Sequence, residues 1–569
     1  RQHVYSGGSA TNTTLNSNRG YQYVEGGSAT STTLGGGFQH VFSDGSATDT
    51  TIDNYGYQSI YAGGEATSTT INSRGSQYVS SGGLATRTTI NSVGKQYVSS
   101  AGTATSTIIN NGGIQYVSSG GSATDTTLNS GGNQHVLSGG SITSTTINNG
   151  GRQHVSSGGS ATDTTINEWG YQNVSAAGGA ISTIINSSGY QYVSSGGSAT
   201  STTINSGGHQ YVSAGGIATS TTISDGQQKV FGAATLTIVS SGGQQNVEGG
   251  TATHTTIEGG ILRLYDGGSA TSTTINGGIQ DLWSGSATST TINGGFQVVR
   301  GGSTTTGTTI NGGQSWLKYG AVADGDTKVS SGGELLMDAG ALAKDVNIQG
   351  GTLSVSDLTD ATASLTPAQV DKLTMNGGNV NFLRNSDGEF AKLTITELNG
   401  TGNFLLNTSL ADRKANFVTI EQGTGQFGIA VADSGKEISD HTDLTLNLIH
   451  ERGGDIDFEM VTASGRSTRF VDGGTYMYTL YSQQDKDGLT GGNVWYLGAM
   501  GSGGENPGGE TPGGENPGGE NPGGENPGGE NPGGENPGGE NPGGENPGGE
   551  NPGGENPGGE NPGGENPGG

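Results

Sequence analysis

The 569-residue sequence contains no cysteine, so neither a disulfide nor a thiolate metal site can brace it. Proline is nearly confined to residues 503–569, which hold thirteen of the 14; Pro367 is the other. Basic residues number 22 against 50 acidic ones, and the formal charge is −28. Such a balance argues against nucleic acid, for which a basic stripe is expected, and disfavours electrostatic docking to anionic membranes. No apolar run approaches the roughly 18 residues of a membrane helix. Only 28% of residues are hydrophobic and 113 are glycine, a composition that by itself would fit disorder.

What the sequence does have is a repeat. Residues Gln77 to Lys95 recur as close variants. Aligning on Gln-x-Val gives Val4, Val24, Val41, Ile60, Val79, Val98, Val117, Val136, Val155, Val174, Val193 and Val212, spaced by 19 after the first two intervals. A second register runs in step through Ile52, Ile71, Ile90, Ile109, Leu128 and Ile147. Disordered tracts have no reason to keep such spacing. Two short β-prone runs per period, separated by Gly-Gly, predict an all-β solenoid with about one turn per 17–19 residues.

Side-chain direction follows from the two-residue strand period. The middle of Gln-x-Val varies among Tyr23, His40, Ser59, Tyr78 and Asn173, so it faces water while Gln and Val face inward. In Ala-Thr-x-Thr-Thr-Ile, x holds Asn12, Asp49, Arg87, Asp125 and His254, untenable in a packed interior. The same alternation turns Thr86, Thr88 and Ile90 toward the core. One Val and one Ile per turn bury too little apolar surface to hold a turn alone. Backbone ladders and like-on-like stacking must therefore hold the array.

Three segments are expected. Residues 1–318 form the repeat array, its period loosening to 17 or 18 beyond Val212. Residues 319–500 are richer in Leu, Val and Phe and suit a C-terminal solenoid, cap and folding nucleus, with a helix-like or loop insertion over Thr366–Lys372. Residues 501–569 repeat Gly-Gly-Glu-Asn-Pro with thirteen Glu and no Lys or Arg, which predicts a disordered linker. The chain opens at Arg1 in mid-repeat, the mark of a processed or trimmed start.

The outward column Tyr23, Tyr78, Tyr97, Tyr116, Tyr192 and Tyr211, interleaved with His3, His40, His135 and His154, places rings about 4.8 Å apart on adjacent turns. It is a candidate contact strip, set against the plainer role of shielding a thin Gly-rich strand face. His135 and His154 lack a third ligand at comparable spacing, so no metal site is assigned. No Gly-Gly pair has the Lys-Ser/Thr of a phosphate loop, and neither a catalytic carboxylate pair nor a cofactor site is predicted.

The unit Ser-Gly-Gly-x-Ala-Thr-x-Thr-Thr-Ile-Asn, followed by Leu448-Ile449-His450 and Gly474-Thr-Tyr-Met-Tyr, resembles the passenger region of AIDA-type self-associating autotransporter adhesins. The resemblance covers residues 1 to about 500. It implies a right-handed parallel β-helix, a junction or autochaperone part toward residue 500, and export through the periplasm by a C-terminal outer-membrane barrel absent from this chain. It implies a non-enzymatic surface protein, retained or released, that adheres to or invades host cells through a receptor or glycan, associates with its own copies and builds biofilm. It also implies modification by a bacterial heptosyltransferase before export. The candidate acceptors are Ser31, Ser68, Ser106, Ser144, Ser201 and Ser220 at x, and the corner serines Ser80, Ser99, Ser118, Ser156 and Ser194. Two alternatives stand beside this reading: a carbohydrate-active β-helix enzyme, and a structural spacer for a binding end that precedes Arg1.

Overall fold

One turn shows how the chain is built. Strands Lys95–Val98, Thr103–Thr105 and Ile108–Ile109 follow one another around three sides. The next turn lies directly above, with Tyr97 paired to Tyr116, Ala104 to Ala123 and Ile109 to Leu128, all parallel. The computed structural model describes residues 1–356, 366–383 and 390–500, and parallel ladders of this kind carry the chain from Gln2 to the C-terminal cap. The expected all-β solenoid is therefore the observed architecture. The linker expected at 501–569 lies outside the described residues.

The interior is half polar. Gln96, Val98, Ala104, Thr107 and Ile109 are each exposed by 1% or less. Every buried polar atom of that set has a partner one turn away or across the lumen. Gln96 Nε2 donates to Gln77 Oε1 at 2.7 Å, and Gln115 Nε2 donates to Gln96 Oε1 at 2.7 Å. The second lone pair of the Gln96 amide oxygen accepts from Thr107 Oγ1 at 3.4 Å. Both capacities of a buried amide oxygen are thus used, and a chain of buried amides polarises each member. A second amide ladder, Asn91 to Asn72 at 3.0 Å and Asn110 to Asn91 at 2.7 Å, lines the half-buried corner after each isoleucine.

One expectation is corrected by these side chains. Thr88 and Ile90 do point inward, but the third inward residue is Ala85, while Thr86 lies half-buried on the outer face. The intervening Arg87 adopts φ 57°. A left-handed residue ends the extended run and resets the alternation, so Ala85 and Thr88 can both face the lumen. At the other corner the last residue before the Ala-Thr strand is glycine because of close approach. A Cβ on Gly102 would sit 2.2 Å from the Val79 carbonyl oxygen of the turn below.

The loss of one or two residues per turn beyond Val212 is absorbed at corners. The stretch from Val212 to Ala218 contracts to that from Val230 to Ala234, yet Gln210 still pairs with Gln228 and Ala218 with Ala234.

Toward the C-terminus the amide ladder gives way to an apolar core of Leu335, Met337, Val346, Ile348 and Leu353. Strands lengthen to Ala368–Phe382, Lys392–Ser409 and Phe417–Asp433. The helix-like or loop insertion expected over Thr366–Lys372 is corrected here. Val370, Leu373 and Met375 alternate into the core of a strand that pairs in register with the turn below. Pro367 stands just before that strand, where its missing N–H breaks no ladder bond. Phe404, Phe427, Phe458 and Trp495 close the lumen, edge to face except for the tilted pair Phe427 and Phe458. Over them lies a sheet in which Asn493–Ala499 runs antiparallel between Thr445–Glu451 and Met477–Gln484. Reversing strand direction ends the parallel stack and pairs its last edge.

Candidate functional site

Because the turns are in register, any outward residue kept from repeat to repeat becomes a column along the solenoid. Two columns carry the residues singled out by sequence.

The first is aromatic. Tyr78, Tyr97, Tyr116, His135 and His154 form one continuous stack, with centroids 5.0, 5.2, 5.0 and 5.0 Å apart and planes within 15°. Shorter stacks join His3, Tyr23 and His40, and Tyr192 with Tyr211. Ser59 and Asn173 separate the three runs, since neither has a ring to offer. Within a run the ring faces cover one another, so the strip presents ring edges and phenol hydroxyls to solvent. Tyr78 and Tyr192, at run ends, are the more open, at 42% and 38% exposure.

Beside this column runs another that the sequence reading missed. Tyr21, Phe38 and Tyr57 pack with tilted rings on consecutive turns at 5.0 and 4.3 Å, and Tyr190 stacks on His209 at 5.2 Å. These residues precede the inward glutamine, as the first column follows it. The two-residue period already placed both on one face, so the signal was present. The strip is two rings wide at Tyr21 and Tyr23, Phe38 and His40, Tyr190 and Tyr192, and His209 and Tyr211, whereas Ser76, Lys95, Ile114, Asn133 and Arg152 flank the long stack. Burial in the band lowers the pKa of His40, His135 and His154, and His135 is lowered further by its neighbour His154. These imidazoles are therefore neutral at physiological pH and stack without mutual repulsion. The nearly parallel rings of His135 and His154 lie face to face, 5.0 Å apart and 14° from coplanar, with their nitrogen lone pairs in the ring planes and not aimed at a common point.

The second column is the x corner. Ser31, Ser68, Ser106, Ser144, Ser201 and Ser220 all have φ between 56° and 57°, and all are half-buried or exposed. A left-handed, non-glycine corner throws the side chain outward at a sharp bend. The N–H of Ser68 donates across turns to the Thr86 carbonyl at 2.9 Å, which fixes the bend. Ser182, Ser272 and Ser289 occupy the same register and conformation and belong with them. The corner serines after the valine, Ser80, Ser99, Ser118, Ser156 and Ser194, are half-buried. Their neighbours Ser81, Ser100, Ser119 and Ser157 are the exposed, left-handed residues of that corner. Only backbone conformation separates the two sets.

Residues 370–499 match the family model described as Pertactin, and residues 108–151 that described as the adhesin of bacterial autotransporter system, probable stalk. The probable autotransporter YpjA of Escherichia coli (strain K12) is 34% identical over 121 residues, which is 20% of this chain and 8% of that relative. A solved fragment of TibA, hyper-glycosylated by TibC, is 50% identical over 46% of this chain and 91% of the fragment, with a TM-score of 0.42. The Hap adhesin of Haemophilus influenzae is 13% identical, covering 88% of this chain and 64% of that one, with a TM-score of 0.32.

The class to which these matches belong is that of autotransporter adhesin passengers. Within it, the chain belongs to the AIDA-type autotransporter adhesins and is similar to TibA.

Proposed function

We propose that this chain is the adhesive passenger of a surface autotransporter: it binds host cells through a receptor or glycan, supports invasion, and associates laterally with its own copies in aggregates and biofilm. The observation that carries the reading is the in-register aromatic band, in which Tyr78, Tyr97, Tyr116, His135 and His154 repeat one edge-on contact at steps of 5.0 to 5.2 Å. A surface repeated at a fixed step can meet an identical surface in many weak contacts at once, and avidity then supplies the strength. Exposed tyrosines favour such interfaces because they offer large, rigid contact area with a polar edge.

The same reading assigns O-linked heptose to the left-handed corner serines. Their bends hold the hydroxyls away from the ladders, so a bulky sugar is added without breaking a backbone bond. The turns with Asn12, Asp49 and Arg87 at x carry no acceptor there, which spaces the sugars in the first repeats. Modification by a heptosyltransferase before export, anchoring by the protein's own C-terminal barrel, and a division at residues 318 and 500 into array, junction-like cap and linker complete the proposal.

The test is to replace Tyr78, Tyr97 and Tyr116 by Ser in cells displaying the full protein and to follow settling and adhesion. Both should fall; unchanged clumping would remove the band from the mechanism.

A further inference from the structure

The outer face of the cap carries a groove. Along Met477–Gln484 the alternation sends Tyr478 into the core, at 2% exposure, and Tyr481 and Gln483 to the opposite face. The loop around His441 and the turn before Met477 rise beside that face and flank an open groove of about 1080 Å³, just above the ~300–1,000 Å³ usual for ligand clefts. Its floor is aromatic: Tyr481 stacks on Tyr496 with centroids 5.7 Å apart and planes 29° from parallel. Its rim is polar, with the Tyr476 hydroxyl 3.1 Å from His441 Nδ1 and the Gln483 amide exposed.

The charges facing the groove are already matched. Lys486 Nζ pairs with Asp487, donates to Thr445 Oγ1 at 3.3 Å and lies 4.7 Å from the Tyr496 ring centroid. Asp443 accepts from Arg413 Nη1 at 3.1 Å through one oxygen and from Thr445 Oγ1 at 2.8 Å through the other. An ionic ligand would have to displace one of these pairs. A neutral one finds an aromatic floor for an apolar face and amide, hydroxyl and imidazole groups for a hydroxylated edge. A pyranose ring has that pairing of surfaces: axial C–H bonds on one face and hydroxyls around its rim.

We propose that the cap groove is a binding site for a neutral oligosaccharide, with Tyr481 as the stacking platform and Gln483 and the His441–Tyr476 pair as hydroxyl partners. The inference rests on the reading of the chain as a surface adhesin, but it is separate from the aromatic band and is tested with soluble ligand, so either can fail alone.

The experiment titrates lactose, N-acetyllactosamine and maltotriose, with sialyllactose and inorganic phosphate as anionic comparisons, into the purified full chain, using saturation-transfer NMR and calorimetry. At least one neutral sugar should bind. Tyr481→Ala should weaken that binding by about tenfold or more, a change of about 1.4 kcal/mol, while Tyr481→Phe retains it. Should Tyr481→Ala fail to fold, as thermal melting would reveal, Gln483→Ala at its exposed position serves in its place and should weaken binding by about threefold or more. The triple Tyr78, Tyr97 and Tyr116 to Ser variant should bind the sugar as the parent does. Binding by the anionic probes alone, by none of the neutral sugars, or unchanged in the groove variants, overturns the proposal.

Discussion

Gln96 Nε2 lies 2.7 Å from Gln77 Oε1 in a lumen where both residues are fully buried. That contact recurs one turn on, from Gln115 to Gln96 at 2.7 Å. Each glutamine is therefore at once the donor to one turn and the acceptor from the next, and removing one takes a partner from both neighbours.

Gln96→Leu should on this account destabilise the array well beyond its loss of one bond. Gln77 Oε1 would keep only the Thr88 hydroxyl, Gln115 Nε2 only its 3.4 Å contact to Thr107 Oγ1, and the Thr107 hydroxyl would lose its acceptor, at about 1–3 kcal/mol for a buried group left unsatisfied. Guanidinium unfolding with hydrogen exchange measures it, and protection should fall first in the turns on either side of residue 96.

Gly102→Ala should be more damaging than Gly82→Ala. The Cβ at residue 102 would meet the Val79 carbonyl at 2.2 Å, whereas the one at residue 82 has nothing within 4 Å and only a φ of 80° to contend with. Backbone displacement of that kind costs about 1–3 kcal/mol, against about 1 kcal/mol for a left-handed alanine. Thermal melting of the two variants ranks them.

Val93→Asn should stabilise the protein. Val93 is 51% exposed and sits at φ 64°, a conformation that a β-branched side chain resists and asparagine tolerates. Little packing is lost at such an exposed corner, so a gain of about 1 kcal/mol is expected, read as a higher melting temperature.

The cap should weaken in mild acid. His450 is 2% exposed and its Nε2 has no hydrogen-bond partner. Burial, with help from Arg452, lowers its pKa below 6.5, against a smaller opposing pull from Glu421 and Asp485. The unfolded chain therefore takes up the proton first, so stability is full above about pH 6.5 and falls as the pH drops below it. Glu451 has the opposite sign: burial raises its pKa above 4.5, so its own stabilisation is lost as pH rises through the folded value. His450→Gln should flatten the fall below pH 6.5 in a pH series of melting curves; an unchanged slope would assign it to another group.

Much of this was legible because a solenoid writes its contacts into its period. Two residues at the same place in successive repeats must be neighbours, so Val79, Val98 and Val117, or Tyr78, Tyr97 and Tyr116, could be stacked without coordinates. The second aromatic column was equally available from the same period, since Tyr21 and Tyr23 lie two residues apart on one strand and so share a face. Thr86 was misplaced for a different reason. Alternation predicts a face only while the backbone remains extended, and nothing in Ala-Thr-Arg-Thr-Thr-Ile announces that arginine takes a left-handed conformation.

The sequence alone determined the repeat, the polar lumen and the identity of its ladders, since periodic spacing and side-chain chemistry are local properties. Tertiary structure decided which serines stand out at the corners, that the ring faces are spent on one another, and that a tyrosine-floored groove opens on the cap. Those outcomes depend on the sign of single φ angles and on segments such as His441–Thr445 and Met477–Gln484 that meet only after the chain has closed its last turn.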